Sequence, residues 1–463
     1  MSLRPAGLTV LLMAVVAGGA PAESPPMDGV WRSQGYGNVF EIHGPTLNAF
    51  EVTNTTCVAG ATAAVDTTPV AGRIATFRTP GGEMFVRAGG SADHKLLHNE
   101  GSASDQRINR IPRLPAVCDH PTENTPAGNF EVFAQTWAEH YISFDLKKTD
   151  WGKVVAANRS KVTSNTTPTE LFDILEKMFG PFGDTHAFLA APEIDRRFQS
   201  LRPGTDRVVK GGFQAFHSSG MAALLGVTDR AYLKTPLRKF CNDQIQYGHI
   251  DEATGYLRIL SFSGYATEGG FAAGLAALEA ALDEIFSDRA LGALVIDVRI
   301  NGGGADPYGL AIASRLATSE YLAYTKEARA DPIDRNKWTP GDPSLVRPSA
   351  RPGFRGPTVE LIGPLTISAG ETFTQALMGR TPPITRIGEN TQGVFSDVLG
   401  RRLPNGWRFG LPNEVFRTPQ GTTFDGPGIP PGVAVPVFAD EDVAAGKDPG
   451  VAKALEILRK KSP

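Results

Sequence analysis

The chain has 463 residues, 41% of them hydrophobic and 21% charged, with a formal net charge of −3. That length supports two or three domains with a substantial core, and the composition is that of an ordinary globular protein. The near-balanced charge argues against nucleic-acid binding, and 51 Gly with 35 Pro argue for a fold rich in turns rather than a helical bundle.

In chain order, residues 1–22 read as a secretory signal. Arg4 supplies the positive end, Leu8 to Val16 the short apolar stretch and Ala20-Pro21-Ala22 the small-residue cleavage site. The apolar run is too short to span a membrane, so the expectation is an exported protein, periplasmic or secreted, with no stable membrane insertion after cleavage. Export permits a disulfide, and Cys57 with Cys118 is the natural pair, leaving Cys241 free. The wide cysteine spacing, without any C-x-x-C, predicts no metal site.

Residues 23–121 predict a small β domain, in which short apolar pieces such as Val39 to Ile42 alternate with Gly, Thr and Asn clusters. Residues 122–190 predict a helical section. Phe130, Phe133, Trp137 and Tyr141 recur at helical spacing, and Thr167-Pro168-Thr169-Glu170 opens a second helix ending at Gly180-Pro181. Residues 191–254 read as an irregular connecting segment. Residues 255–440 alternate strand and helix, with Ala293 to Val298 a nearly continuous apolar run that suits a parallel strand buried on both faces. Residues 441–463 read as a C-terminal helix and tail.

Two segments of this α/β region carry chemistry. Asn301-Gly302-Gly303-Gly304 follows the apolar strand, and its N–H groups can converge on an anion, although three glycines alone are as well explained by a flexible turn. A phosphate loop is disfavoured because no Gly-Lys-Ser/Thr follows. Ser368 lies between an apolar strand, Thr358 to Gly363, and a helix beginning near Glu371. Its hydroxyl is either a nucleophile at the positive pole of a helix or half of a Ser-x-x-Glu capping box with Glu371. Ligands of open α/β sheets bind outside the carboxyl ends of strands, where both segments fall.

Gly255 to Ile259, Asp297-Val298-Arg299 with Asn301 to Gly304, Thr366 to Glu371, Gly388 to Gly393 and Gly426 to Pro431 appear in order. Together they resemble the core of the C-terminal-processing (tail-specific) serine peptidases and the related tricorn core, over about residues 180–437. The resemblance implies a crotonase/Clp-protease-like core with a parallel sheet and helices, preceded by the helical section and the small β domain. It implies Ser368 as nucleophile, an oxyanion hole from Gly302, Gly303 and Ala369, and a polypeptide substrate. No cofactor is implied. The Ser–Lys branch of the family places a lysine where this chain has Val394, so a Ser–Lys dyad is not expected. The tricorn-like branch uses a histidine and a glutamate, whose positions match His186 and the shorter Asp425, with Asp184 as the competing acid and Thr185 and Glu371 as supporting residues. Only about seventy residues separate His186 from Gly255, short for the PDZ domain that many relatives insert there. The alternatives on the same scaffold are a non-proteolytic ligand-binding module and an acyl-ester hydrolase.

Overall fold

The structure, a computed structural model, describes residues 27–68, 70–79 and 82–461. The leader expected over residues 1–22 lies outside them. Eight strands form the N-terminal domain: Gly29–Ser33, Asn38–His43, Thr46–Val52, Cys57–Asp66, Ala75–Thr79, Gly82–Ser91, His94–Asn99 and Asp105–Ile111 (β1–β8). Each pairs antiparallel with the next, and β8 closes on β1 to make a barrel without free edges. Trp31, Phe40, Ile42, Leu47, Phe77, Val86, Leu97 and Ile108 fill its interior from inward-facing strand positions. A disulfide joins Cys57, at the start of β4, to Cys118, while Cys241 is free and buried.

Helices Pro126–His140, Trp151–Arg159 and Pro168–Phe179 (α1–α3) follow. Thr125 and Asp150 cap the first two, and Thr167 with Glu170 forms a reciprocal capping box on the third. The aromatic stripe of α1 packs with Phe172, Leu175 and Phe179 of α3 in one buried cluster. A four-stranded sheet covers that cluster. Its strands run in the order Arg196–Gln199, Phe188–Ala191, Arg408–Pro412 and Val398–Arg402. Distant parts of the chain thus meet in one sheet, which brings the loop before Phe188 close to the loop before Val398.

The central sheet has seven strands, ordered Arg238–Phe240, Ile245–His249, Thr254–Ile259, Ala293–Asp297, Thr358–Ile362, Thr385–Gly388 and Val433–Ala434. From Thr254–Ile259 onward every pairing is parallel. Leu294 and Ile296 face the helices Gly270–Phe286, Asp306–Leu316 and Ala369–Leu377, while Val295 faces the helix Pro449–Lys461 through Val451, Ala454 and Leu458. Burial on both faces explains why this strand has no polar alternation.

Segment 191–254 is not irregular. It forms helices Pro203–Val209 and Met221–Tyr232, and its strands Arg238–Phe240 and Ile245–His249 extend the central sheet antiparallel. The sheet therefore begins before Gly255. The C-terminal helix is likewise part of the core. Asp448 at its start binds Arg299 at 2.8 Å, and Arg299 also binds Asp297, all three being buried.

Candidate active site

Ala293–Asp297 and Thr358–Ile362 are adjacent parallel strands, so the loops leaving their carboxyl ends lie side by side. The contact is close: a Cβ placed on Gly303 would fall 2.7 Å from Cβ of Ser368. Gly303 has a φ of 89°, in the region that glycine adopts without strain. Asn301 locks the two loops together. Its carbonyl accepts the Ile367 N–H at 3.0 Å, its Oδ1 accepts the Gly303 N–H at 2.9 Å and its Nδ2 donates to the Ile259 carbonyl at 3.0 Å.

Ser368 occupies φ 56°, ψ −121°, a conformation costly for a residue with a side chain. Its hydroxyl does not cap the helix Ala369–Leu377. Glu371 does not reach back either. Its buried carboxylate accepts Thr391 Oγ1 at 2.6 Å, Gly393 N–H at 2.5 Å and Val394 N–H at 2.8 Å. The capping-box alternative is thereby excluded, and Glu371 acts as a clamp on the loop 391–394. Burial pushes its carboxyl up to about 7, against those three donors. Val394 packs with Ile300, Leu365 and Ile367 in an apolar cluster at the position where a lysine base would stand.

The expected oxyanion donors need correction. The Gly303 N–H is taken by Asn301, and the Gly302 N–H donates to the Leu260 carbonyl at 3.3 Å. The Ala369 N–H opens its helix and so has no intrahelical acceptor. Among the described residues the Gly304 N–H enters no hydrogen bond, although its neighbours bridge Phe262 on both sides.

His186 ends the turn Gly183-Asp184-Thr185-His186. Asp184 Oδ1 accepts the His186 backbone N–H at 3.1 Å, and Asp184 Oδ2 accepts the Tyr141 hydroxyl at 3.2 Å. The His186 Nδ1 and the Thr185 hydroxyl are buried without a hydrogen-bond partner among the described residues. Burial holds the imidazole below its ordinary value, opposed by Asp184, Asp397 and the Ser396 carbonyl. Asp425 is not hydrogen-bonded to this ring. Its carboxylate accepts the Phe395 N–H and the Thr423 hydroxyl, each at 3.1 Å. Burial raises it to about 7, and the neighbouring Asp184 adds to the rise. The carboxylates whose charge acts on the imidazole here are Asp184 and Asp397.

A cleft of about 610 Å³ lies beside these loops and is lined by neighbours of the site rather than by Ser368, His186 or Asp425 themselves. Gly304, next to the glycine that touches Ser368, lines it. So does Asp397, next to the residue whose carbonyl faces His186. Phe262, Tyr265 and Asp306 contribute from the core, and Gly101 from the barrel.

Arg202 is a residue that sequence reasoning missed. Its Nε donates to the Gly183 carbonyl and its Nη2 to the Gly393 carbonyl, both at 3.1 Å, while Nη1 reaches the carbonyls of Gln392 and Gly426. One guanidinium thus ties together the loops that carry His186, Val394 and Asp425. Nothing local in the sequence marks it, because its partners at 392, 393 and 426 lie about 200 residues away. Asn301 was visible within its motif, but its three bonds were not.

Residues 253–435 match peptidase family S41, and residues 122–180 match the tricorn protease C1 domain. A putative peptidase from Parabacteroides merdae superposes with a TM-score of 0.59 at 24% identity, over 73% of this chain and 97% of that one. Mature CPAF, complexed with lactacystin, superposes with a TM-score of 0.52 at 12% identity, over 73% and 97%. At these identities the superpositions show a shared fold. No curated protein matches the sequence.

Proposed function

The chain belongs to the C-terminal-processing and tricorn-type serine peptidases, and from that premise we propose that Ser368 is its nucleophile and His186 its general base. Neutral His186 takes the Ser368 proton as the hydroxyl attacks the scissile carbonyl, then gives it to the leaving amine. Water, deprotonated by the same imidazole, hydrolyses the acyl-enzyme. The N–H groups of Ala369 and Gly304 stabilise the tetrahedral oxyanion. Asp425, in the family's acid position and beside Asp184, stabilises the imidazolium. Its bond to the ring forms when substrate closes the cleft, as catalytic hydrogen bonds left long in free enzymes do.

The observation that carries this reading is Ser368 itself. Its backbone is strained at a strand-to-helix turn, its hydroxyl is not spent on capping, and a glycine packs against it. Val394 supports a histidine rather than a lysine base, since no amine stands at that position. The mode proposed is internal cleavage of polypeptides by an exported enzyme, periplasmic or secreted. The leader sequence and the Cys57–Cys118 disulfide both fit an oxidising compartment.

The test is incubation of an unfolded protein substrate with wild type and with Ser368→Ala, followed by mass mapping of the fragments and fractionation of the producing cells. Internal fragments from wild type alone, with the protein outside the cytoplasm, are expected. Fragmentation by Ser368→Ala, or hydrolysis of esters without cleavage of peptides, would reject the assignment.

A further inference from the structure

A second cavity, of about 370 Å³, lies at the seam between the barrel and the helical section. It shares no lining residue with the 610 Å³ cleft beside the Ser368 loop, and neither Ser368 nor His186 lines it. Arg32 of β1, Asn54 after β3, Asn109 of β8, Glu139 and His140 of α1, and Arg329 form its polar wall.

Orphaned polar atoms converge on this wall. Arg329 is 3% exposed, and its Nη1 donates to the Tyr141 carbonyl at 3.1 Å. Its Nε and Nη2 are buried with no partner among the described residues. Those two nitrogens are the edge of a guanidinium that grips a carboxylate or phosphate with two parallel hydrogen bonds. His140 is 6% exposed, with the carbonyl of Gly35 nearby, but neither ring nitrogen is in hydrogen-bond geometry with any acceptor. The Asn109 side-chain oxygen is buried and unpartnered too, and exchanging its amide ends would turn a donor inward. Native proteins leave few such groups unsatisfied, because each costs its desolvation in full.

The wall carries two arginines, Arg32 and Arg329, and two carboxylates, Glu139 and Asp331. Neither Arg32 nor Arg329 has an ion pair within 4.0 Å among the described residues. Asp331 is already paired with Lys337 at 3.3 Å. Glu139 accepts the Asn54 N–H at 2.7 Å, and burial raises its carboxyl against that bond and the charges of Arg32 and Arg329. Burial, then the positive charges of Arg401 and Arg329, depress His140 to about 3. The volume falls within the range of small-molecule pockets, and junctions between domains are where such pockets concentrate.

We propose that this cavity is a binding site for a small carboxylate or phosphate, held bidentately on Nε and Nη2 of Arg329, with Arg32 as second cation and Asn109 as polar partner. The site is separate from the proposed catalytic centre and does not depend on it.

The test uses Ser368→Ala protein throughout, so that peptidase activity has no part in the result. N-acetylalanine, its neutral amide and inorganic phosphate are titrated by calorimetry and by thermal melting at constant ionic strength. Saturable binding of at least one anion, a raised Tm and no binding of the amide are expected. Which anion binds identifies the ligand class. Arg329→Gln and Arg32→Gln should each weaken binding at least about tenfold, the scale of one lost charge-assisted bond. Arg329 also braces α1, so Arg32→Gln decides the matter if Arg329→Gln does not fold. Failure of both anions to bind, equal binding of the amide, or unchanged affinity in Arg32→Gln would overturn the proposal.

Discussion

At the scale of the residue, the acid partner of His186 is the sharpest question. As the proposed base, His186 acts only when neutral, and burial holds its pKa below 6.5. As the proposed acid partner, Asp425 can stabilise the imidazolium only when ionised, and burial raises it to about 7. Activity should therefore fall as pH drops through about 7, where Asp425 takes a proton, before His186 itself is protonated. Asp425→Asn should lower kcat by orders of magnitude, on the precedent of the serine-protease triad. It should also move the acid limb of the residual kcat/KM profile below 6.5, where His186 alone sets it. Asp184→Asn should instead lower Tm, because Asp184 braces the His186 N–H and the Tyr141 hydroxyl. Profiles of the two variants, with melting curves, separate the roles; a kcat loss confined to Asp184→Asn would make Asp184 the acid.

Glu360 makes a second prediction at this scale. It is buried in the central strand Thr358–Ile362, with Oε1 bonded to Thr374 and Oε2 unpartnered, and burial raises its carboxyl from 4.5 to about 7. The folded state keeps this proton up to about pH 7, while the unfolded chain loses it near 4.5. The contribution of Glu360 to stability thus declines as pH rises between those values. The full effect is on the order of 3 kcal/mol by proton linkage. Chemical denaturation from pH 4.5 to 8 should show wild type losing stability relative to Glu360→Gln as pH rises. A constant difference between the two would contradict the assignment.

At the scale of the element, the segments that were legible in the sequence are those whose burial is locally encoded. The run Ala293 to Val298 announced a strand covered on both faces, and the aromatic stripe of α1 announced one buried side. Thr167 and Glu170 marked the start of α3 through a capping box that the fold does form. Segment 191–254 was not legible. Its strand Arg238–Phe240 is three residues long, its helix Pro203–Val209 seven, and the pairing that orders both strands comes from Thr254–Ile259 and beyond. The site divides in the same way. Ser368 and the glycine loop were visible as motifs, but hydrogen-bond direction was not, so Gly302 and Gly303 were assigned N–H groups that the fold spends on Leu260 and Asn301.

Arg202 supplies the prediction at this scale. It positions loops rather than touching substrate, and a displacement of about 1 Å at a catalytic group can cost about a hundredfold in rate. Arg202→Gln should cut kcat at least about tenfold, more than it raises KM. Hydrogen exchange should quicken in residues 183–186 and 424–428 and stay unchanged in the barrel. Unaltered exchange in both loops would contradict a positioning role.

At the scale of the whole molecule, the barrel is joined to the core by polar contacts. Tyr36 reaches Glu414, Arg107 binds Asp342 at 2.8 Å, and Glu51 accepts the Arg402 N–H at 2.9 Å. Interfaces of this polar kind are common between domains that fold separately. The Cys57–Cys118 bridge spans 61 residues within the N-terminal part of the chain. By loop-closure entropy such a bridge contributes roughly 2–4 kcal/mol. Cys57→Ser/Cys118→Ser should therefore lower the stability of the barrel by about that amount, while the proposed catalytic core keeps its melting transition. A single transition lowered as one would show that barrel and core unfold together.

The central claim is that Ser368 is the reactive group of this enzyme. The direct measurement is labelling with a fluorophosphonate that modifies activated serines, at neutral pH, on wild type, Ser368→Ala and His186→Ala, with the modified peptide identified by mass spectrometry. The account predicts one adduct, on Ser368, in wild type, none in Ser368→Ala and strongly slowed labelling in His186→Ala, with all three proteins folded. An adduct on another serine, or labelling of His186→Ala at the wild-type rate, would contradict it.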